Sequence, residues 1–207
     1  PRHSTRVISQ PVRRARGYAP FPIRLPFRAD MLLATGADLK NTFCFTRDEY
    51  AFVSQHIGDM ENLETLEHFE KTLQLYEHLF RVKPAALAYD LHPDYLTTRF
   101  AMEYAEKAGI TSLVRVQHHH AHIAACLADC GWSPAAGPVI GVALDGTGYG
   151  EDGAIWGGEW LVGDYRGFRR MAHLEYLPMP GGETAIQQPW RLAAGYIYTL
   201  IGPDAVP

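Results

Sequence analysis

The sequence predicts an α/β fold made of two sheet-forming halves, and three observations predict it. Short apolar runs bounded by Gly, Pro and Asp alternate with segments whose apolar residues recur at helical spacing. The element order reads strand, strand, strand, helix, strand, helix, strand, helix, and after Pro138 a strand-strand-strand-helix order begins again. Hydrophobic residues make up 47% of the 207 and charged residues 20%, enough apolar material for a packed core.

Residues 1–28 hold seven arginines and no Asp or Glu, while the rest of the chain carries a balance of −11. Pro20, Pro22 and Pro26 favour extended structure and resist helix there. This segment, with Arg13, Arg14 and Arg16, reads as the tail of one domain running into a linker. From Met31, MLLAT reads as a strand, Gly36-Ala37-Asp38 as a turn, NTFCFT as a second strand and EYAFVSQ as a third. Residues 61–82 read as a helix with Leu63, Leu66, Phe69, Leu73, Tyr76 and Leu79/Phe80 on its apolar face. AALAYD (85–90) is a short buried strand, 96–108 a helix ended by Gly109, TSLVRVQ a strand, and HHAHIAACLADCGW a helix closed by Gly131. VIGVALD, AIWGGEWLVGDY and FRRMAHLEYL follow as strands, and 186–201 as a helix. The expected domains are therefore 1–28, 29–137 and 138–207. Two such lobes facing a cleft form the actin/hexokinase-type (ASKHA) nucleotide-binding architecture, with the first lobe complete and the second truncated. The element order alone carries that duplication; no sequence repeat does.

The net charge of −4 gives no reason to expect nucleic acid or an anionic membrane as a partner. Three cysteines (Cys44, Cys126, Cys130) are too few for a disulfide framework. No apolar run approaches the ~18 residues needed to span a bilayer. The sequence opens polar and basic rather than with a signal peptide, so a cytoplasmic location is expected.

The run QHHHAH carries the strongest chemical signal. His118 and His122 lie one helical turn apart, so both imidazoles can reach one metal ion. His119 and His120 then point elsewhere, towards substrate or supporting groups. Cys126 continues the face by another turn, either as a third ligand or as a small buried helix residue. In LDGTGYGEDG a buried strand ends in Asp145, placed to ligate the metal or its water. The glycines that follow let backbone N–H groups approach phosphate oxygens. Gly146, Thr147, Gly148 and Gly150 are therefore candidate cofactor-binding residues, although Asp-Gly is also an ordinary hairpin turn. Asp90 and His92 end a strand, with either a structural or a functional part, and Asp94 is placed to cap the next helix. The hairpin around 34–44 puts Lys40 within reach of a phosphate.

Taken in order, LLATGADLKNTFC, SQHIGD, DLHPDYLTTR, VQHHHAHIAACLAD and GVALDGTGYGEDGAIWGGE resemble the HypF family of hydrogenase-maturation carbamoyltransferases. The resemblance covers nearly the whole chain. RRARGYAPFPI is similar to the end of that family's YrdC-like domain, and the rest to its TsaD-like domain. The resemblance implies ATP and carbamoyl phosphate as substrates and carbamoyl adenylate as the intermediate. It implies transfer of the carbamoyl group to the C-terminal cysteine of HypE, for the cyanide ligands of nickel–iron hydrogenase. It also implies His118, His122 and Asp145 as catalytic ligands of an Fe or Zn ion, with a further Asp downstream. On that reading the chain is a piece of a longer enzyme and is expected to be inactive alone. Two alternatives stay open: a TsaD-type transferase putting threonylcarbamoyl on tRNA, and a non-catalytic metal-binding piece. Binding of HypE rather than tRNA discriminates the first.

Overall fold

The computed structural model describes residues 18–182 and 184–205; Arg13, Arg14 and Arg16 lie outside them. Strands β1 (Ile23–Ala29), β2 (Leu32–Ala34), β3 (Cys44–Val53), β4 (Ala86–Asp90) and β5 (Ser112–Val116) form one sheet in the order β1-β3-β2-β4-β5. β3 pairs antiparallel with both β1 and β2, whereas β2, β4 and β5 run parallel. Parallel neighbours need long crossovers, and α1 (Leu63–Phe80) and α2 (Leu96–Ala108) supply them.

Three expectations are corrected here. NTFCFT and EYAFVSQ form one strand, β3, because the chain bulges at Asp48 (φ 54°) instead of turning. The third strand of the sheet is β1, which precedes Met31 and bonds to β3. Asp94 does not cap α2; Tyr95 holds that position and no side chain bonds there.

Helix α1 starts at Asn62, whose side chain accepts the Thr65 N–H, and stops at Arg81, where the chain turns left-handed. Its buried face is Phe69, Leu73 and Tyr76, while Leu63 and Leu79 are exposed. Phe43 anchors the core, with its ring edge-on to Phe45, Phe69 and Tyr76 at centroid distances of 5.8, 5.3 and 5.1 Å.

A second sheet has the order β6-β7-β8, with β6 (Val139–Tyr149), β7 (Ile155–Gly163) and β8 (Phe168–His173). Helix α3 (His118–Asp129) packs Ile123 and Leu127 against Ala143, Trp156 and Leu161 of this sheet. Contacts divide the chain after Ala172. In the second unit the helix expected over 186–201 is two helices, α4 (Thr184–Gln187) and α5 (Pro189–Leu200). Pro189 cannot continue α4, and it opens α5 instead. Among the described residues, no helix is long and apolar enough to cross a membrane.

Candidate metal centre

The parallel pairing of β4 with β5 sets Asp90 beside Val116, so two strands end together. The chain turns at once into α3. Gln117 caps that helix, its side-chain oxygen accepting the His120 N–H at 3.0 Å and its Nε2 donating to the Tyr149 carbonyl at 3.2 Å. His118 is the first residue of the helix. Its Nδ1 lies 2.9 Å from Asp90 Oδ2 and its Nε2 2.9 Å from Asp145 Oδ2. His122 Nε2 lies 3.2 Å from His118 Nε2 and 3.5 Å from Asp145 Oδ2. One ligand atom from each of His118, His122 and Asp145 falls within 4.8 Å of the others. The spacing of the two histidines and the strand-end aspartate thus converge on one point.

The chemistry of this point fits a cation. Asp145 Oδ2 is buried, and the groups that face it are the imidazole nitrogens of His118 and His122. A carboxylate and two imidazoles facing each other at these distances need positive charge between them, either a proton or a metal ion. Nitrogen and carboxylate donors suit Fe and Zn alike.

The hydrogen bond to Asp90 holds His118 above its ordinary value of 6.5; burial opposes this, and the charges of Asp90 and Asp145 add to it. A protonated imidazole cannot ligate, so a raised pKa moves proton competition upward in pH. The affinity of the purified chain for Zn²⁺ is expected to fall as pH drops, beginning above 6.5. Chelator competition between about pH 8 and pH 6 checks this, and a flat affinity contradicts it.

The other histidines serve the scaffold. His119 is fully buried beside Gln117, its Nδ1 3.1 Å from Gln117 Nε2, and burial pushes its pKa down. His120 donates from Nε2 to the Asp164 carbonyl at 2.7 Å, tying α3 to the β7–β8 turn. Cys126 is exposed rather than a buried helix residue, and it is not grouped with His118, His122 and Asp145.

The glycine-rich segment differs from the expected turn. Residues 146–149 continue β6, because Gly148 and Tyr149 pair with Trp156 and Ile155 after an irregular stretch. The turn comes at 151–153. Gly146 and Thr147 are exposed, but Gly148 is buried under His119 and Gly150 against the Trp156 indole. Lys40 lines a cavity of about 380 Å³ together with Gly36, Asn41, Asp90, His118 and His122. Gln117 was not among the expected site residues, and Asp90 was expected only as a strand end with either a structural or a functional part. The signal for Asp90 is its place at the end of the strand next to the one that delivers His118.

Two family models match this chain: the HypF Kae1-like domain over residues 28–129, and the carbamoyltransferase Kae1-like domain, second subdomain, over 141–206. The chain belongs to the HypF carbamoyltransferase family. Carbamoyltransferase HypF2 of Cupriavidus necator is 46% identical over 189 residues, which is 91% of this chain and 23% of that protein. Carbamoyltransferase HypF of Rhizobium leguminosarum bv. viciae is 42% identical over 95% of this chain and 25% of its own length. A crystal structure of full-length HypF in the phosphate- and nucleotide-bound form matches 92% of this chain and 24% of its own, with TM-score 0.83 and 46% identity. That of T. kodakarensis HypF matches 94% and 25%, with TM-score 0.86 and 40% identity. The chain thus spans about a quarter of the length of the relatives it matches. The family is one of enzymes, and the mixed α/β fold is that of its Kae1-like segment.

Proposed function

We propose that the chain supplies the site at which a carbamoyl group passes from carbamoyl adenylate to the C-terminal cysteine of HypE, in hydrogenase maturation in the cytoplasm. The observation that carries this reading is the convergence of His118, His122 and Asp145 beside a cavity that also presents Lys40. These three residues would hold the Fe or Zn ion. When bound, such an ion supplies Lewis acidity towards a carbonyl oxygen. The two sheets are read as facing walls of an ASKHA-type cleft, and carbamoyl phosphate and ATP as the source of the adenylate.

In the transfer step the cysteine sulfur forms a bond to the carbamoyl carbon, and the carbon–oxygen bond to the adenylate phosphate breaks. AMP carries away the electron pair and the proton of the thiol goes to solvent. The Lys40 ammonium faces the developing charge on the leaving phosphate. Gly146 and Thr147 are the exposed members of their segment and stand nearest to a nucleotide role, although the Gly146 N–H already donates to Asp145 Oδ1 at 2.7 Å. Acidic balance after residue 28 favours a protein acceptor over tRNA.

The test uses a full-length protein containing these residues, incubated with ATP, carbamoyl phosphate and HypE. Mass spectrometry is expected to find carbamoyl on the terminal cysteine of HypE. Unmodified HypE, or threonylcarbamoyl on tRNA in a parallel reaction, overturns the reading.

A further inference from the structure

Asp90 holds one ligand histidine in a fixed state, and the other has no equivalent. Asp90 is buried at the end of β4, 8% exposed. Its Oδ1 accepts the His92 N–H at 2.8 Å, and its carbonyl accepts the Thr98 hydroxyl at 3.3 Å. The Leu91 N–H donates to the Val116 carbonyl at 2.9 Å, which clamps the two strand ends side by side. The His92 ring is stacked on Tyr95 at 4.1 Å and meets Tyr149 edge-on at 5.2 Å, so the turn that carries the Asp90 contact is itself packed. Asp90 Oδ2 is therefore presented to His118 Nδ1 at 2.9 Å from a rigid support.

Both His118 nitrogens face a carboxylate at 2.9 Å, and a carboxylate only accepts; the proton kept by the neutral imidazole is assigned to Nδ1 because Asp90 is the more buried and more firmly held partner, its side chain 7% exposed against 30% for Asp145. A neutral imidazole then has a lone pair on Nε2, the atom that faces His122 and Asp145. His122 is exposed, and no partner for its Nδ1 is found among the described residues.

We propose that Asp90 is a positioning residue that locks His118 as the Nδ1–H tautomer with Nε2 aimed at the ion, leaving His122 as the adjustable ligand. The proposal rests on the metal reading above, and its test separates the two. Nitrogen NMR of the metal-free chain, at a pH where the imidazoles are neutral, is expected to show His118 as a single Nδ1–H tautomer. An Nε2–H signal for His118 overturns the proposal whatever the variants do. In Asp90→Asn and Asp90→Ala the tautomers are expected to mix, and Zn²⁺ affinity to fall about 10–100-fold. A folded Asp90→Asn chain with unchanged affinity and an unchanged tautomer also overturns it. His122→Ala probes the metal reading alone. Zn²⁺ affinity that survives this change sinks that reading, while the tautomer result stands or falls on its own.

Discussion

Replacing His118 with alanine is expected to lower the affinity of the chain for Zn²⁺ or Fe²⁺ by more than the ~100-fold that loss of an outer partner costs at most. His118 Nε2 is the atom closest to both other ligand atoms, at 2.9 and 3.2 Å. Without it only His122 and Asp145 would remain to hold an ion. The same change strips the buried Asp90 carboxylate of one partner, which costs the apo chain roughly 1–3 kcal/mol. Two measurements therefore move together: equilibrium dialysis with metal analysis, and urea unfolding without metal. Affinity retained within about tenfold of the parent, in a chain of parent fold, contradicts the assignment of His118 as a ligand.

Replacing Gly148 with valine is expected to destabilise the fold by about 3 kcal/mol, the upper range for overpacking a core. Read from sequence, this glycine serves a nucleotide, and its loss should weaken binding with little effect on folding. Packing changes that expectation. A Cβ at 148 would meet His119 Cε1 at 2.5 Å, His119 Nδ1 at 2.9 Å and His118 Cβ at 3.1 Å. The His119 ring is fully buried and cannot swing out of the way. The first turn of α3 must move, and His118 moves with it. Gly146 is the matched control, since nothing lies within 4 Å of its added Cβ. Gly146→Val is expected to stay within ~0.5 kcal/mol of the parent. Equal unfolding midpoints for the two variants contradict this account.

The long periodic segments were legible in the sequence. α2 spans the residues that its spacing indicates, and Gly109 ends it with φ 69°. His118, His122 and Asp145 were legible because a four-residue spacing and a strand end are local patterns. Asp90 was legible only as a strand end with its part left open, because what places it at the site is its position beside Val116 in the neighbouring strand, which no local pattern encodes. The bulge at Asp48 was hidden too. Thr, Arg and Asp between two apolar runs look like a turn, and only pairing with β1 on one side and β2 on the other keeps β3 continuous. At Gly148 the sequence alone is ambiguous, because glycine serves equally for close approach of a phosphate and close approach of a ring. Only the neighbour decides which.

The contact between α3 and β6 has a reach beyond packing. At Gly141 there is no room for a side chain, because the Ile123 methyl groups fill the space where a Cβ would stand. His122 adjoins Ile123 on the helix, and Asp145 lies four residues beyond Gly141 on the strand. The girth of one isoleucine resting on one bare strand residue therefore acts as the spacer that gauges how far the imidazole stands from the carboxylate. The dimension of a charged site is set by a hydrocarbon contact that touches none of its charges.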